Sequence, residues 1–302
     1  MSIPYFDCHC DTIVEASLSN EGLLRNKRHI DIERISRYSP CAQVFAVCTE
    51  YRPETLGNTQ HFIGKLRQEI DKNSDKISLC LSKEDIDTAI ASGKIAALLS
   101  IEGASQISSL KTAYEHGVRI VHPTWNNDNY ICGAAAGSGY GLTDRGREFV
   151  RSCNDMGILL DMSHASERSF WDVIELSEKP IIAGHSNSKA LCDVPRNITD
   201  EQFIALTNCG GGAGINLYTG FLGLNRDFDA VIAHIEHFLS IGGMKSVFLG
   251  CDFDGTDSLP QGISGVQDME KLYDMLLRRN YPEDLVRDIF WNNLYNIIGR
   301  VL

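Results

Sequence analysis

The chain has 302 residues, 43% of them hydrophobic and 23% charged, enough to bury a large core as one barrel or two smaller domains. A net charge of -12 argues against nucleic acid or an anionic membrane as partner, since either needs clustered Lys and Arg. No apolar run reaches the length of a membrane span, and MSIPYFDCHCDT lacks the basic, apolar and small-residue succession of a signal peptide. The ten cysteines show no zinc-finger spacing, and together with the missing secretion signal they predict reduced thiols in a cytoplasmic protein.

In chain order, Ile3 to Cys10 reads as a strand whose alternation puts Asp7, His9 and Asp11 on one face and Cys8 and Cys10 on the other. A His-x-Asp pair at a strand end can place an imidazole and a carboxylate on one cation, although the same pair is common in surface turns. Cys41 to Thr49 is the next β-rich run, and a polar helical region follows from Thr55 to about Asn73. Ile77 to Leu81 is a short strand candidate, and Lys83 to Ser92 a short helix closed by Gly93. Lys94 to Ile101 is continuously apolar, as in a strand buried on both faces, and delivers Glu102 at its tip. A carboxylate there needs a salt bridge or a metal.

Leu110 to Glu115 is helical in pattern, and Val118 to Thr124 is a strand ending in Trp125-Asn126-Asn127. A Gly-rich loop leads to a helix capped by Thr143 and stopped by Gly157. Ile158 to Met162 then ends in Ser163-His164, and Pro180 to Ala183 ends in Gly184-His185. The helix between them, capped by Ser166, makes a strand-helix-strand crossover, so both histidines leave the same edge of a parallel sheet. Ser186 to Leu191 begins another helix, Thr199 to Thr207 is a capped helix, and Gly210 to Leu217 is a glycine-heavy strand without a dinucleotide fingerprint. After a helix over Asp229 to Ile241, Ser246 to Gly250 is the last strand and delivers Asp252. Val266 to Arg279 and Pro282 to Leu302 are helical.

Strands alternate with helices throughout, with no repeat or linker to divide residues 1–302, so an α/β fold of the (β/α)8 TIM-like barrel type in a single domain is expected. His9, Asp11, Glu102, His164, His185 and Asp252 all fall at predicted strand C-termini, which converge on one mouth in such a barrel. Singly, each fits a hydrogen-bonded core or turn residue. Together they can hold two divalent cations bridged by a carboxylate, for which Glu102 suits best, and a hydroxide clamped between the ions is a nucleophile at neutral pH. Asp252 is placed for general acid and base work. The ligand types favour zinc, although manganese, iron or cobalt would fit.

These residues carry a resemblance to the membrane (renal) dipeptidase family of the amidohydrolase superfamily, in a soluble, microbial-type form. It rests on Asp7-Cys-His9-Cys-Asp11-Thr12, Ser100-Ile-Glu102-Gly103, Leu160-Asp-Met-Ser-His164-Ala-Ser166, Gly184-His185-Ser186, Pro195-Arg196-Asn197 and Gly250-Cys-Asp252-Phe-Asp254-Gly255. The resemblance implies a zinc-dependent dipeptidase, with one metal on His9, Asp11 and Glu102 and the other on Glu102, His164 and His185. It also implies Asp252 as proton shuttle, Arg196 as the grip on the substrate's C-terminal carboxylate, and dipeptide substrates that include L-D pairs. Tyr218 and Asn216 are further candidate substrate contacts. Trp125 stands where mammalian members place a substrate histidine, with His122 three residues earlier and not expected to reach that point. The remaining histidines, His29, His61, His116, His234 and His237, are expected at the surface. The partner expected is a small-molecule dipeptide, and a homodimer is compatible with the sequence. The alternatives are a deacetylase or lactonase reaction on the same metals, which would leave Arg196 without a carboxylate, and a non-catalytic metal-binding scaffold.

Overall fold

The structure is a computed structural model and describes residues 2–52 and 54–302. The described residues form nine strands: β1 (Tyr5–Cys10), β2 (Cys41–Cys48), β3 (Ile77–Leu79), β4 (Ile95–Glu102), β5 (Val118–His122), β6 (Leu159–Asp161), β7 (Ile181–Ala183), β8 (Gly212–Ile215) and β9 (Val247–Leu249). Each coincides with one of the apolar runs read from the sequence, only its ends adjusted. All pairings between them are parallel.

Eight strands close a ring in the order β1, β2, β4, β5, β6, β7, β8, β9, with β9 returning to β1. Closure leaves the ring without a free edge. β3 lies outside it. Because β2 takes one edge of β4 from Ala42↔Ala96 to Cys48↔Glu102, β3 and β5 share the other, β3 at Ile95 to Ala97 and β5 from Leu99 to Glu102.

Alternation sends Phe6, Cys8, Val44, Leu98, Ile120, Leu159, Ile182 and Phe248 into one interior cluster, closed at one end by Trp291, Leu294 and Ile298 of the C-terminal helical segment. The opposite faces, among them Val47, Leu99, Val121, Leu160 and Ile215, pack on helix residues such as Phe62, Val150, Phe170, Phe203 and Val231. The same parity carries Glu102, His122 and Asp161 into the ring at its other end. The glycines of β8 and its neighbour are there for close approach: a Cβ on Gly214 or Gly250 would collide with the carbonyl oxygen of Gly184.

Two local expectations are corrected. Pairing between β1 and β2 shifts register between Asp7 and Cys10, and this irregularity breaks the alternation predicted for β1. Cys8 joins the interior cluster and Cys10 the outer layer, while Asp7 is held by Tyr5, Gln43 and the backbone N–H of Cys251. Residues 186–191 do not form a helix. Asn187 and Asn197 instead bond the backbone of Asn216, Cys192 and Phe221, so this stretch is a pinned loop running beside Ile198.

Candidate active site

The six side chains expected at strand C-termini meet at the open end of the barrel. Glu102 Oε1 is the centre of the group: His164 Nε2 lies 2.7 Å away, His185 Nε2 3.3 Å and His9 Nε2 3.8 Å. His164 Nε2 and His185 Nε2 are 3.0 Å apart, and His9 Nε2 is 3.2 Å from Asp11 Oδ2. Ligands ~2.0 Å from a tetrahedral zinc ion stand roughly 3.3 Å from one another, a spacing compatible with these separations. Glu102 Oε1, Asp11 Oδ1, His9 Nδ1 and His185 Nδ1 are buried without a hydrogen-bond partner among the described residues.

The protonation pattern points the same way. Asn126 Oδ1 accepts from His164 Nδ1 at 3.0 Å, which turns the Nε2 lone pair of that ring toward Glu102. Burial and the Arg196 guanidinium push His164 down to about 4, and burial holds His185 well below the usual histidine range. Burial opposes a charge on His9 as well, yet Glu102, Asp11 and Asp252 around it push it up to about 10. Glu102 is held well below the usual carboxylate range by His164 and His9 despite its burial. Three imidazole Nε2 atoms thus crowd one buried, ionised carboxylate oxygen, an arrangement that a cation among them would satisfy. The donor set fits divalent metal.

Asp252 sits at a left-handed φ of 59°, a backbone state that few residues other than Gly, Asn and Asp adopt readily. Asn216 Nδ2 donates to its Oδ2 at 2.9 Å, leaving Oδ1 facing His9 Nε2 at 3.9 Å. Burial raises the Asp252 carboxyl above the ordinary range. The buried Arg196 guanidinium donates to the carbonyl of Ser163 and to His164 Nε2 at 3.1 Å, and it stands 5.4 Å from the Phe221 ring.

A cavity of about 830 Å³ opens over these groups, with Asp11, Glu102, His164, Arg196 and Asp252 in its floor and wall. Trp125 and Tyr218 line it, Trp125 between Tyr51 and His164 at ring distances of 6.3 and 6.2 Å. Asn216 does not. It is fully buried, and besides gripping Asp252 it donates to the His185 carbonyl and accepts from the Tyr218 N–H. One histidine was misjudged from sequence. His234 is buried, its Nδ1 accepting the Ser188 N–H at 3.1 Å, because it falls on the inner face of the helix Phe228–Ser240. His122 is also buried; it does not line the cavity and lies instead beneath it, beside Glu102. Its place near the C-terminal end of a strand, like that of the other candidates, was the signal for it.

Eight cysteines are buried, and all ten are free among the described residues. No helix among these residues is long and apolar enough to cross a membrane.

An uncharacterized protein of Klebsiella pneumoniae from the pqqA 5' region is 32% identical over 253 residues, 78% of this chain and 93% of the relative. An uncharacterized dipeptidase of Schizosaccharomyces pombe is 34% identical over 64% of this chain and 50% of its own length. Among solved structures, the metallopeptidase called dipeptidase AC, of family M19, superposes with a TM-score of 0.92 at 26% identity, covering 100% of this chain and 99% of its own. A metallopeptidase of Rhodobacter sphaeroides, liganded with a phosphinate mimic of L-Ala-D-Ala, gives a TM-score of 0.91 at 24% identity with both chains fully covered (100%). The family model for membrane dipeptidases, peptidase family M19, matches residues 1–301, and the chain therefore belongs to that family of metal-dependent dipeptidases.

Proposed function

We propose that this chain, as one hydrolase domain over residues 1–302, cleaves the peptide bond of dipeptides, L-D pairs included, using two divalent cations, preferentially zinc. The observation that carries the reading is the convergence of three imidazole nitrogens on the buried Glu102 Oε1, all within 3.8 Å. His9, Asp11 and Glu102 would hold one cation, and Glu102, His164 and His185 the other, with Glu102 common to both. Bound there, the cations would supply a Lewis acid and a water acidic enough to act as nucleophile near neutral pH.

The remaining steps fall to the chain itself. Arg196, buried and forked, receives the substrate's free carboxylate and so sets the distance from that end to the scissile bond. This is why a dipeptide rather than a longer chain or a neutral amide is the substrate. Asp252 takes the nucleophile's proton at Oδ1, since Asn216 occupies Oδ2, and returns it to the leaving amine. Asn216 holds that carboxylate in its left-handed turn and does not contact substrate. Trp125 and Tyr218 shield the bond from bulk solvent as walls of the cavity, and the indole N–H of Trp125 is a donor available there. Free thiols at all ten cysteines support a cytoplasmic setting.

The test is hydrolysis of a dipeptide panel, with L-L and L-D pairs and C-terminally amidated controls, by protein stripped of metal and then reloaded with zinc. Cleavage that needs both the metal and the free carboxylate is the expected result. Two equivalents of bound zinc with amidated and free substrates cleaved alike would refute the carboxylate anchor.

A further inference from the structure

At about 830 Å³ the cavity has room for a dipeptide with a long side chain, and one of its walls carries groups that the reading above does not use. Lys27, Arg28 and His29 line it, as do Tyr51 and Arg52 from the stretch after β2. Glu15, one turn beyond Asp11 in the helix Thr12–Leu18, organises this wall. Its Oε1 accepts from the Tyr51 hydroxyl at 2.7 Å and lies 2.8 Å from Arg52 NH2, while Oε2 is 3.9 Å from Arg28 NH1. Arg28 also meets Glu21 at 3.1 Å, and Lys27 has no ion-pair partner among the described residues. Three cations thus share two carboxylates, in a chain whose net charge is -12. His29 adds a donor: its Nδ1 accepts the Asp254 N–H at 3.0 Å, which leaves the ring hydrogen on Nε2. The acidic neighbours do not cancel the excess. Asp254 accepts from the Thr12 hydroxyl and the His29 N–H, and Asp257 is exposed to screening by solvent.

We infer that this wall is the subsite for the side chain of the substrate's N-terminal residue and that it selects an acidic one, glutamate or aspartate. The inference rests on the dipeptidase reading given above. Arg196, 3.1 Å from His164 Nε2, fixes the C-terminal carboxylate on the His164 side of the centre. The Trp125 ring spans the wall from His164 at 6.2 Å to Tyr51 at 6.3 Å. A dipeptide that starts at Arg196 and crosses the metal centre therefore ends against Tyr51 and Arg52. A basic side chain there would have to take Glu15 from Tyr51 and from both arginines. An acidic one completes the group instead. Arg52 spends one NH2 on Glu15 and stacks at 5.1 Å on the Tyr51 ring, and its Nε and NH1 have no acceptor among the described residues. Those two nitrogens present the fork that a carboxylate matches.

The test compares kcat/KM of the zinc-loaded full chain for L-Glu-D-Ala, L-Gln-D-Ala, L-Lys-D-Ala and L-Ala-D-Glu. L-Glu-D-Ala should exceed its neutral isostere L-Gln-D-Ala about 10–100-fold, the worth of a charged hydrogen bond, and the ratio should shrink at high salt. Arg52→Gln should bring that ratio toward one, Arg52→Lys should keep part of it, and Arg52→Glu should turn the preference toward L-Lys-D-Ala. Each ratio is taken within one preparation, so a variant that folds poorly still reports it, and the reversal is a gain that misfolding does not produce. Equal rates for the Glu, Gln and Lys substrates, or a wild-type preference for Lys, overturn the inference and leave the dipeptidase reading standing. An acidic preference confined to the C-terminal residue does the same. Failure of the wild type to cleave any dipeptide of the panel overturns both.

Discussion

Replacing Asp252 with Asn tests the proton-transfer step with little other disturbance. The residue sits at φ 59°, a conformation that Asn tolerates as well as Asp, so the backbone has no reason to move. Asn216 Nδ2 now donates to Asp252 Oδ2 at 2.9 Å; the new amide keeps this bond by turning its oxygen toward Asn216. Its NH2 then occupies the position of Oδ1, where a proton acceptor is required. General acid–base catalysis by one positioned group contributes roughly 10²–10⁴ in rate, about 3–5 kcal/mol of barrier. The expected result is a fall in kcat of that size, with KM for a good dipeptide changed less than a few-fold. Metal content, measured by atomic emission, should stay at the wild-type stoichiometry, because neither proposed cation depends on Asp252. A kcat within a factor of three of wild type would refute the role. Loss of metal in step with loss of activity would refute it too, by making Asp252 a ligand.

Three further outcomes follow from the same geometry. Arg196→Lys removes the fork while keeping the charge, and should lower kcat/KM for free dipeptides about 10–100-fold, the ~1.5–3 kcal/mol of a charged hydrogen bond. The ratio of free to amidated substrate should collapse toward one, measured in parallel assays. Gly214→Ala drives a Cβ against the Gly184 carbonyl and should destabilise the fold by ~1–3 kcal/mol or more, read as a lower urea midpoint at unchanged slope. His234 is pushed down to about 4, chiefly by burial, whereas the unfolded chain titrates it near 6.5. Its contribution is therefore complete above about pH 6.5 and is lost as pH falls toward 4, amounting to ~3 kcal/mol at most. His234→Asn keeps an acceptor for the Ser188 N–H but cannot titrate, so the fall in stability between these pH values should be shallower than in wild type by denaturant titration.

The sequence by itself determined the barrel. Short apolar runs of four to nine residues, most of them followed by a helical stretch, leave a parallel sheet as the way to bury every run, and their C-terminal ends must then share one mouth. His9, Asp11, Glu102, His164, His185 and Asp252 were readable for that reason: each ends, or closely follows, such a run. What the chain order did not contain was lateral register. His122 lies near the end of the run Val118 to Thr124, but only the pairing of β5 with β4 sets it beside Glu102, and only β6 brings Asp161 to its far side. The irregular pairing of β1 likewise parts Asp7 from His9, although a period of two puts them together. Asn216 resembled a substrate contact from its place after a strand, and became the holder of Asp252 once β8 and β9 lay side by side. Position along a strand is a local property, carried by the hydrophobic pattern. Which side chains face one another across strands depends on bulges and long-range pairing, and those are decided only when the ring closes.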